Sequence, residues 1–439
     1  MNTDLRLAPK KARTDTPLEA VLPPDTKPGI LGRAVLKGLA GITRGRLILH
    51  EGHRRHEFGP GTDGPTAELE VRDPRFWSAL ALRGSVGAGE AYAHRWWTSP
   101  DSVAVVRLLT RNIDALDAME SGLSRISRPF LTAFHKLRSN TVEGAKDNIA
   151  AHYDLSNEFF ELFLDPTMTY SCGIFEKETT TLEEASVEKI DRLCRKLELK
   201  SGERLVEIGT GWGAFALHAA REYGVHVTTT TISERQHELA ERRIREAGLE
   251  DRITLLKEDY RKLPERLRAE GLEPFDKLIS VEMIEAVGHR YFDSFFQTCG
   301  ELLKPDGRAA IQAITIVDQR FEQAKNAVDF IQRYIFPGAC IPSVTALLNS
   351  ATRASDLRVV DVEDIGAHYV PTLAAWRENL LERWSDAHAL GLDDTFLRLF
   401  EFYFVYCEGG FAERQISDVH LVFDRPDRRP SATFAFPGR

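Results

Sequence analysis

Leu205-Val206-Glu207-Ile208-Gly209-Thr210-Gly211-Trp212-Gly213 is an apolar run with one acidic residue, closed by a glycine turn, and Ala214 to Arg221 after it reads as a helix. Strand, tight loop and helix start in that order bring backbone N–H groups and a helix N-terminus against a ligand. Glycines at 209 and 211 let the backbone approach that ligand, and Gly213 lets helix and strand pack closely. The alternation continues outward. Val225–Thr231, Ile253–Lys257, Lys277–Val281 and Ala309–Ile314 read as strands, with helices following Gly213, Ser233, Leu263 and Arg290. Such alternation predicts an α/β fold with a doubly wound, largely parallel sheet, whose ligand lies at the carboxyl ends of the strands.

Two details narrow the ligand. A nicotinamide-binding loop would place its third glycine where Ala214 stands and an acidic residue at the end of the next strand, and Val225–Thr231 ends without one. An acidic residue just before G-x-G-x-G instead resembles the Rossmann-like class I methyltransferases that use S-adenosylmethionine (SAM). On this stretch alone, a glycine-rich turn of some other α/β domain is the alternative. The strand ends then give an expected pose. The methionine end of SAM falls by Tyr170, Ser171 and Gly209, the ribose near Thr231 and Gln236, and the adenine near Asp259 and Tyr260. Glu207, Gly211, Gly213, Ser233 and Glu282 complete the expected cofactor set.

With 439 residues the chain is long enough for two domains. No apolar run approaches the roughly twenty residues of a membrane span. Five cysteines without a C-x-x-C pair suggest a reducing compartment. Residues 1–26 are polar and proline-bearing, read as unstructured and without a secretory signal. The net charge of -9 argues against nucleic acid as a partner, yet Lys27 to Arg46 and Ser124 to Lys146 are basic. Those stretches suit either an anionic phospholipid surface or plain solvation.

Residues 27–140 read as a small α+β domain, with a helix over Pro28–Thr43, strands at Arg46–His50, Glu57–Phe58 and Ala67–Val71, and helices near Pro74 and from Ala91. His53 and His56 have no partner ligands at a metal-binding spacing and read as a surface turn, so no metal is expected. Residues 141–439 form the second domain. A helical insertion over about 316–356 is expected to build a substrate lid. A strand near Arg358–Val362, helix over Thr372–Tyr406 and a late antiparallel edge strand at Val419–Phe423 complete the chain.

Further motifs carry a more specific resemblance. Asn148 to Asn157 (NIAAHYDLSN), Met168-Thr169-Tyr170-Ser171-Cys172, the glycine loop, Thr231-Ile232-Ser233 with Gln236, Ser280 to Gly288, and Tyr334-Ile335-Phe336-Pro337-Gly338 occur in the order seen in cyclopropane fatty acid synthases. The chain resembles that family over about residues 145–425, and more weakly around Gly87–Trp97. The resemblance implies SAM as cofactor and methylene addition across a cis double bond of a phospholipid acyl chain. It also implies a bicarbonate ion as base, held by the backbone of Cys172, by Glu285, by Gln312, by the backbone of Ile314 and by Tyr369.

An alkene is a poor nucleophile, so the reaction needs an activated methyl donor in line, a dry site, electron density around the resulting carbocation, and a base. Two positions depart from the family. Ala286 follows Glu285 where a histidine is common, and Gln312 replaces the histidine that holds bicarbonate. Glutamine donates a hydrogen bond but neither carries charge nor relays a proton. The departures favour the branch making methylated or methylene-branched chains. His289 is either a replacement imidazole or a surface residue; Tyr334 and Phe336 are either core or cation-facing; Cys407 reads as packing.

The expected partners are a phospholipid acyl chain and, peripherally, the inner face of the membrane from the cytoplasm, with no nucleic acid. A homodimer and a partner reductase are both compatible with the resemblance. The competing functions are a SAM methyltransferase for another acceptor and a non-catalytic lipid-binding protein, which measurable SAM turnover separates.

Overall fold

The computed structural model describes residues 28–114 and 155–429. The chain divides into two compact units, Met1–Ile126 and Ser127–Arg439. The expectations for residues 1–26, the motif at Asn148–Asp154, the whole of the second basic stretch, Ser124 to Lys146, and the boundary near residue 140 lie outside the described residues.

In the first unit, β1 (Arg46–Glu51), β2 (Arg54–Phe58), β3 (Thr66–Val71) and β4 (Trp97–Thr98) form one sheet in the order β2-β1-β3-β4. Leu47 and Leu49 of β1 and Ala67, Leu69 and Val71 of β3 alternate inward, the period of a half-buried sheet. The first helix is shorter than expected. It spans Ile30–Leu39 and ends in a turn in which Gly41 N bonds Gly38 O. The helix expected from Ala91 does not begin there: Ala91 to Ala93 close the helix Arg75–Ala93, which kinks at Gly84. The next helix, Ser102–Arg111, starts where the Asp101 carboxylate accepts from Ala104 N at 2.9 Å.

In the second unit seven strands, β5 (Arg204–Ile208), β6 (His226–Thr230), β7 (Ile253–Leu256), β8 (Phe275–Val281), β9 (Leu303–Ile316), β10 (Arg358–Asp364) and β11 (Ile416–Asp424), form a sheet in the order β10-β11-β9-β8-β5-β6-β7. Strands β5 to β9 are parallel, β11 pairs antiparallel with β9, and β10 antiparallel with β11. Both faces are apolar because both carry helices. Leu205, Val227 and Ile279 pack with Ile190, Leu193 and Phe215. Val206, Leu278 and Ile311 pack with Phe292, Phe295 and Phe296.

The late strand is not the edge. Arg358–Asp364 takes that position, and its exposed charged residues suit an edge that must resist further pairing. The insertion folds as three helices, Asp318–Ala324, Phe330–Tyr334 and Val344–Ala354. Leu347 and Ala351 of the last belong to the core, so the part free to cover a ligand ends before it. The expected helix over Thr372–Tyr406 is three, Tyr369–Glu382, Trp384–Ala389 and Asp394–Ala412, broken near Arg383 and at the left-handed Gly391.

Candidate active site

The loop after β5 turns through three left-handed glycines, Gly209 (φ 97°), Gly211 (φ 53°) and Gly213 (φ 89°). A Cβ at Gly209 would lie 3.1 Å from Met283 Cγ, whereas a Cβ at Gly211 would meet nothing within 4 Å. Gly211 therefore faces open space. That space is a cavity of about 320 Å³ at the carboxyl ends of the strands.

Among the expected cofactor residues, Tyr170, Ser171, Glu207, Gly209, Gly211, Thr231, Gln236, Asp259, Tyr260 and Glu282 line it. Gly213 and Ser233 do not. Gly213 precedes the helix Ala214–Tyr223, and the Ser233 hydroxyl caps the helix Glu234–Glu246. Both shape the wall without forming it. Thr231 Oγ1 donates to Gln236 Oε1 at 2.9 Å, fixing two polar groups at the end of β6. Burial works against the charge of Asp259, but its paired bonds from Arg261 (2.8 and 2.6 Å) prevail and hold the carboxyl below its usual range. Burial pushes Glu207 up to about 8, although Thr229 Oγ1 donates to it at 2.6 Å.

The other end of the cavity is built around a different residue from those expected to hold an anion. Cys172 N donates to Glu282 Oε1 at 2.8 Å, Gln312 Nε2 to the same oxygen at 2.8 Å, and Tyr369 OH to Oε2 at 2.7 Å. Three of the five groups assigned to bicarbonate thus converge on the carboxylate of Glu282, which was expected to serve the cofactor. A fourth, Ile314 N, donates to Glu285 Oε1 at 2.5 Å. Glu285 is 9% exposed, and its Oε2 has no hydrogen-bond partner among the described residues. Burial, then the charge of Glu282, pushes its carboxyl up to about 8, so Glu285 is mostly the neutral acid at pH 7. Glu285, Ile314 and Tyr369 line the cavity, while Cys172 and Gln312 stand behind it.

Gln312 is central to this second layer. Its Nε2 also donates to Asp418 Oδ2 at 2.7 Å, and His420 Nε2 donates to its Oε1 at 3.2 Å. The register that sets Gln312 opposite His420 and Ile314 opposite Asp418 brings these groups together across β9 and β11. Asp418 and His420 were not singled out from the sequence. Nor was Lys189, 2% exposed, whose Nζ donates to Ser171 Oγ at 2.7 Å. A signal existed for Lys189, which shares the buried face of the helix Leu182–Leu197 with Ala185, Ile190 and Leu193. The Cys172 thiol is pushed well up by burial and is no nucleophile.

The rest of the cavity is apolar and aromatic. Ile331, Phe336, Pro337, Ala339, Leu373 and Phe411 line it, from the insertion and the late helices. Tyr170 OH donates to Tyr403 OH at 3.1 Å, and Phe336 meets both rings, at 6.3 and 6.0 Å between centroids. Tyr369 stacks on Phe411 at 4.3 Å. Tyr334 contacts Phe330, in the protein interior, instead of the cavity. Cys407 lines the cavity, against its reading as packing alone, whereas His289 does not. The cavity thus combines polar groups at the ends of β5 to β7 with an apolar, aromatic lining from the insertion and the late helices.

The family model for mycolic acid cyclopropane synthetase matches residues 140–421. The tuberculostearic acid methyltransferase UfaA1 of Mycobacterium tuberculosis is 37% identical over 345 residues, 76% of this chain and 78% of that protein. The cyclopropane-fatty-acyl-phospholipid synthase of Escherichia coli K12 is 33% identical over 370 residues, covering 82% and 88%. Among solved structures, the mycolic acid cyclopropane synthase CmaA1 in complex with SAH and CTAB aligns with a TM-score of 0.57 at 30% identity, over 64% of this chain and 98% of that one. With the glycine loop, the sheet order and a match this long, the chain belongs to the cyclopropane synthase family of SAM-dependent methyltransferases.

Proposed function

We propose that this protein transfers the methyl group of SAM to a cis double bond in an unsaturated phospholipid acyl chain, and that the Glu282 carboxylate is the base that completes the reaction. The observation that carries this reading is the convergence of Cys172 N, Gln312 Nε2 and Tyr369 OH on Glu282, at the wall of a cavity with an apolar arm. The open space at Gly211 and the polar groups at the ends of β5 to β7 fit SAM. When bound there, SAM supplies a methyl group activated on positively charged sulfur.

The chain's own residues account for the rest. Phe336, Tyr403 and Leu373 exclude water and hold the acyl chain extended. The alkene π pair forms the new C–C bond as the S–C bond breaks, and the other alkene carbon is left positive. The rings of Tyr170, Phe336 and Tyr403 place electron density beside that cation. Glu282 accepts the proton that is lost. If the proton comes from the added methyl, its C–H pair closes a ring. If a hydride shift comes first, the pair left by the departing proton forms a C=C bond to the new carbon. Bicarbonate, expected from the resemblance, would have to share its donors with Glu282, and on this reading the side chain does the ion's work.

The methylene-branched product is the one expected, because Gln312 stands where the family has a histidine and cannot relay a proton. The reading includes attachment at the membrane surface through the basic stretch from Lys27 to Arg46, and no described helix is long and apolar enough to cross a membrane. The test is incubation with methyl-¹³C SAM and vesicles of an oleoyl phospholipid, followed by NMR of the extracted lipid. Label in the exomethylene region supports the proposal. Label only in upfield ring signals rejects the product, and no label in lipid rejects the substrate.

A further inference from the structure

Beneath Glu282 lies a second carboxyl group that the reaction as described does not use. Asp418 sits on β11 with an exposure of 0%, as deeply buried as any residue of the sheet. Its Oδ2 accepts from Gln312 Nε2 at 2.7 Å, and its Oδ1 has no donor among the described residues. The same nitrogen bonds Glu282 Oε1 at 2.8 Å, so one amide bridges the two carboxyl groups.

Two ionised carboxylates in that position would repel each other across one neutral amide, with a bare buried oxygen between dry walls. The charged and titratable groups facing Asp418 are Glu282 and Glu285 from the loop after β8, Lys189 from the helix Leu182–Leu197, Cys172, and Tyr369. Of these, Lys189 is the cation, and its strongest attraction is to Glu282. One positive charge balances one carboxylate. The three donors on Glu282 select it as the charged member.

We infer that Asp418 is a positioning residue, held as a neutral carboxylic acid that donates a hydrogen bond to Glu282 and leaves Glu282 as the charged member of the pair. Burial first, then the Glu282 charge, pushes the Asp418 carboxyl well above its ordinary range, in keeping with that assignment. Asp418 does not line the cavity, and it acts through Glu282. The inference deepens the proposal that Glu282 is the base, but its protonation state can be measured without turnover.

The first test is the infrared difference between wild-type protein and Asp418→Asn at pH 7, without substrate. A carboxylic-acid carbonyl band lost in the variant is expected. Loss of an ionised-carboxylate band instead would overturn the inference. The second test compares turnover on oleoyl-phospholipid vesicles. Asp418→Ala, which deletes the donor, should lose about tenfold or more in kcat while SAM affinity by calorimetry is kept. Asp418→Asn, whose amide can donate in the same place, should recover most of that loss. An Asn variant as impaired as Ala overturns the inference, and it remains informative if Ala fails to fold. Wild-type turnover by Glu282→Gln would refute Glu282 as base, and the infrared result would still decide the state of Asp418.

Discussion

Replacing Glu282 by glutamine removes a charge with little change in shape. Oε1 now accepts from Cys172 N and Gln312 Nε2, and Oε2 from Tyr369 OH. A glutamine can keep its amide oxygen in the first position and turn its NH₂ toward Tyr369, whose hydroxyl then accepts instead of donating. Cys172 N and Gln312 Nε2 keep their acceptor, and Tyr369 exchanges a donated bond for an accepted one. What is lost is charge assistance, which roughly doubles the strength of such bonds, and this is offset in part because no charge is buried. The fold and the cofactor end of the cavity are therefore expected to survive.

The catalytic loss is of another size. A positioned general base contributes about 10²- to 10⁴-fold, or roughly 3 to 5 kcal/mol of barrier. Glu282→Gln should lower kcat by that factor with SAM affinity within about twofold of wild type, the signature of a group that acts in the transition state. The assay is release of SAH on oleoyl-phospholipid vesicles, paired with calorimetry of SAM binding. Glu282→Ala should behave differently, because three donors lose their acceptor at about 1–3 kcal/mol each, and its melting temperature should fall clearly below that of the glutamine variant. Turnover within threefold of wild type in Glu282→Gln would refute the role given to this carboxylate.

Gly211→Val should abolish SAM binding. The residue is left-handed at φ 53° and faces open space, so a branched side chain both strains the turn, by about 1–2 kcal/mol, and fills the cavity, and unchanged affinity by calorimetry would contradict the pose. Glu207 and Glu285 are each pushed from an ordinary 4.5 up to about 8, so the folded protein binds their protons more tightly than the unfolded chain does. Their contribution to stability is full below pH 4.5 and is lost as pH rises through about 8, by about 1.4 kcal/mol per pH unit for each group. Denaturant titrations of the free protein should show this slope, and Glu285→Gln should flatten it. If the basic stretch from Lys27 to Arg46 meets anionic lipid, co-sedimentation with vesicles should weaken as salt rises, and salt-independent sedimentation would exclude an electrostatic attachment.

The sheet was legible because its signals are local. An apolar run, a glycine turn and a helical period recur, and parallel strands buried on both faces leave little ambiguity. The edge was misjudged because Val419-His420-Leu421-Val422-Phe423 and Arg358–Asp364 both read as strands, and only their pairing says which is outermost. The site was legible as a set of positions but not as a set of bonds. Glu282 has φ 46°, a left-handed conformation unusual outside glycine, at the carboxyl end of β8 beside the donors of Cys172 and Tyr369. No propensity announces that turn, so a residue expected to face the cofactor is found taking three of the donors expected for bicarbonate. Asp418 and Gln312 meet through a cross-strand register more than a hundred positions apart in sequence, which no local pattern encodes.

The claim that the base belongs to the chain itself is tested most directly by turnover with and without bicarbonate. Wild-type protein in buffer stripped of carbon dioxide should transfer methyl groups to oleoyl phospholipid at the same rate as in buffer supplemented with bicarbonate, because Glu282 already fills the donors that an ion would need. A rate that collapses on depletion and returns with added bicarbonate would contradict the account and restore the ion as the base.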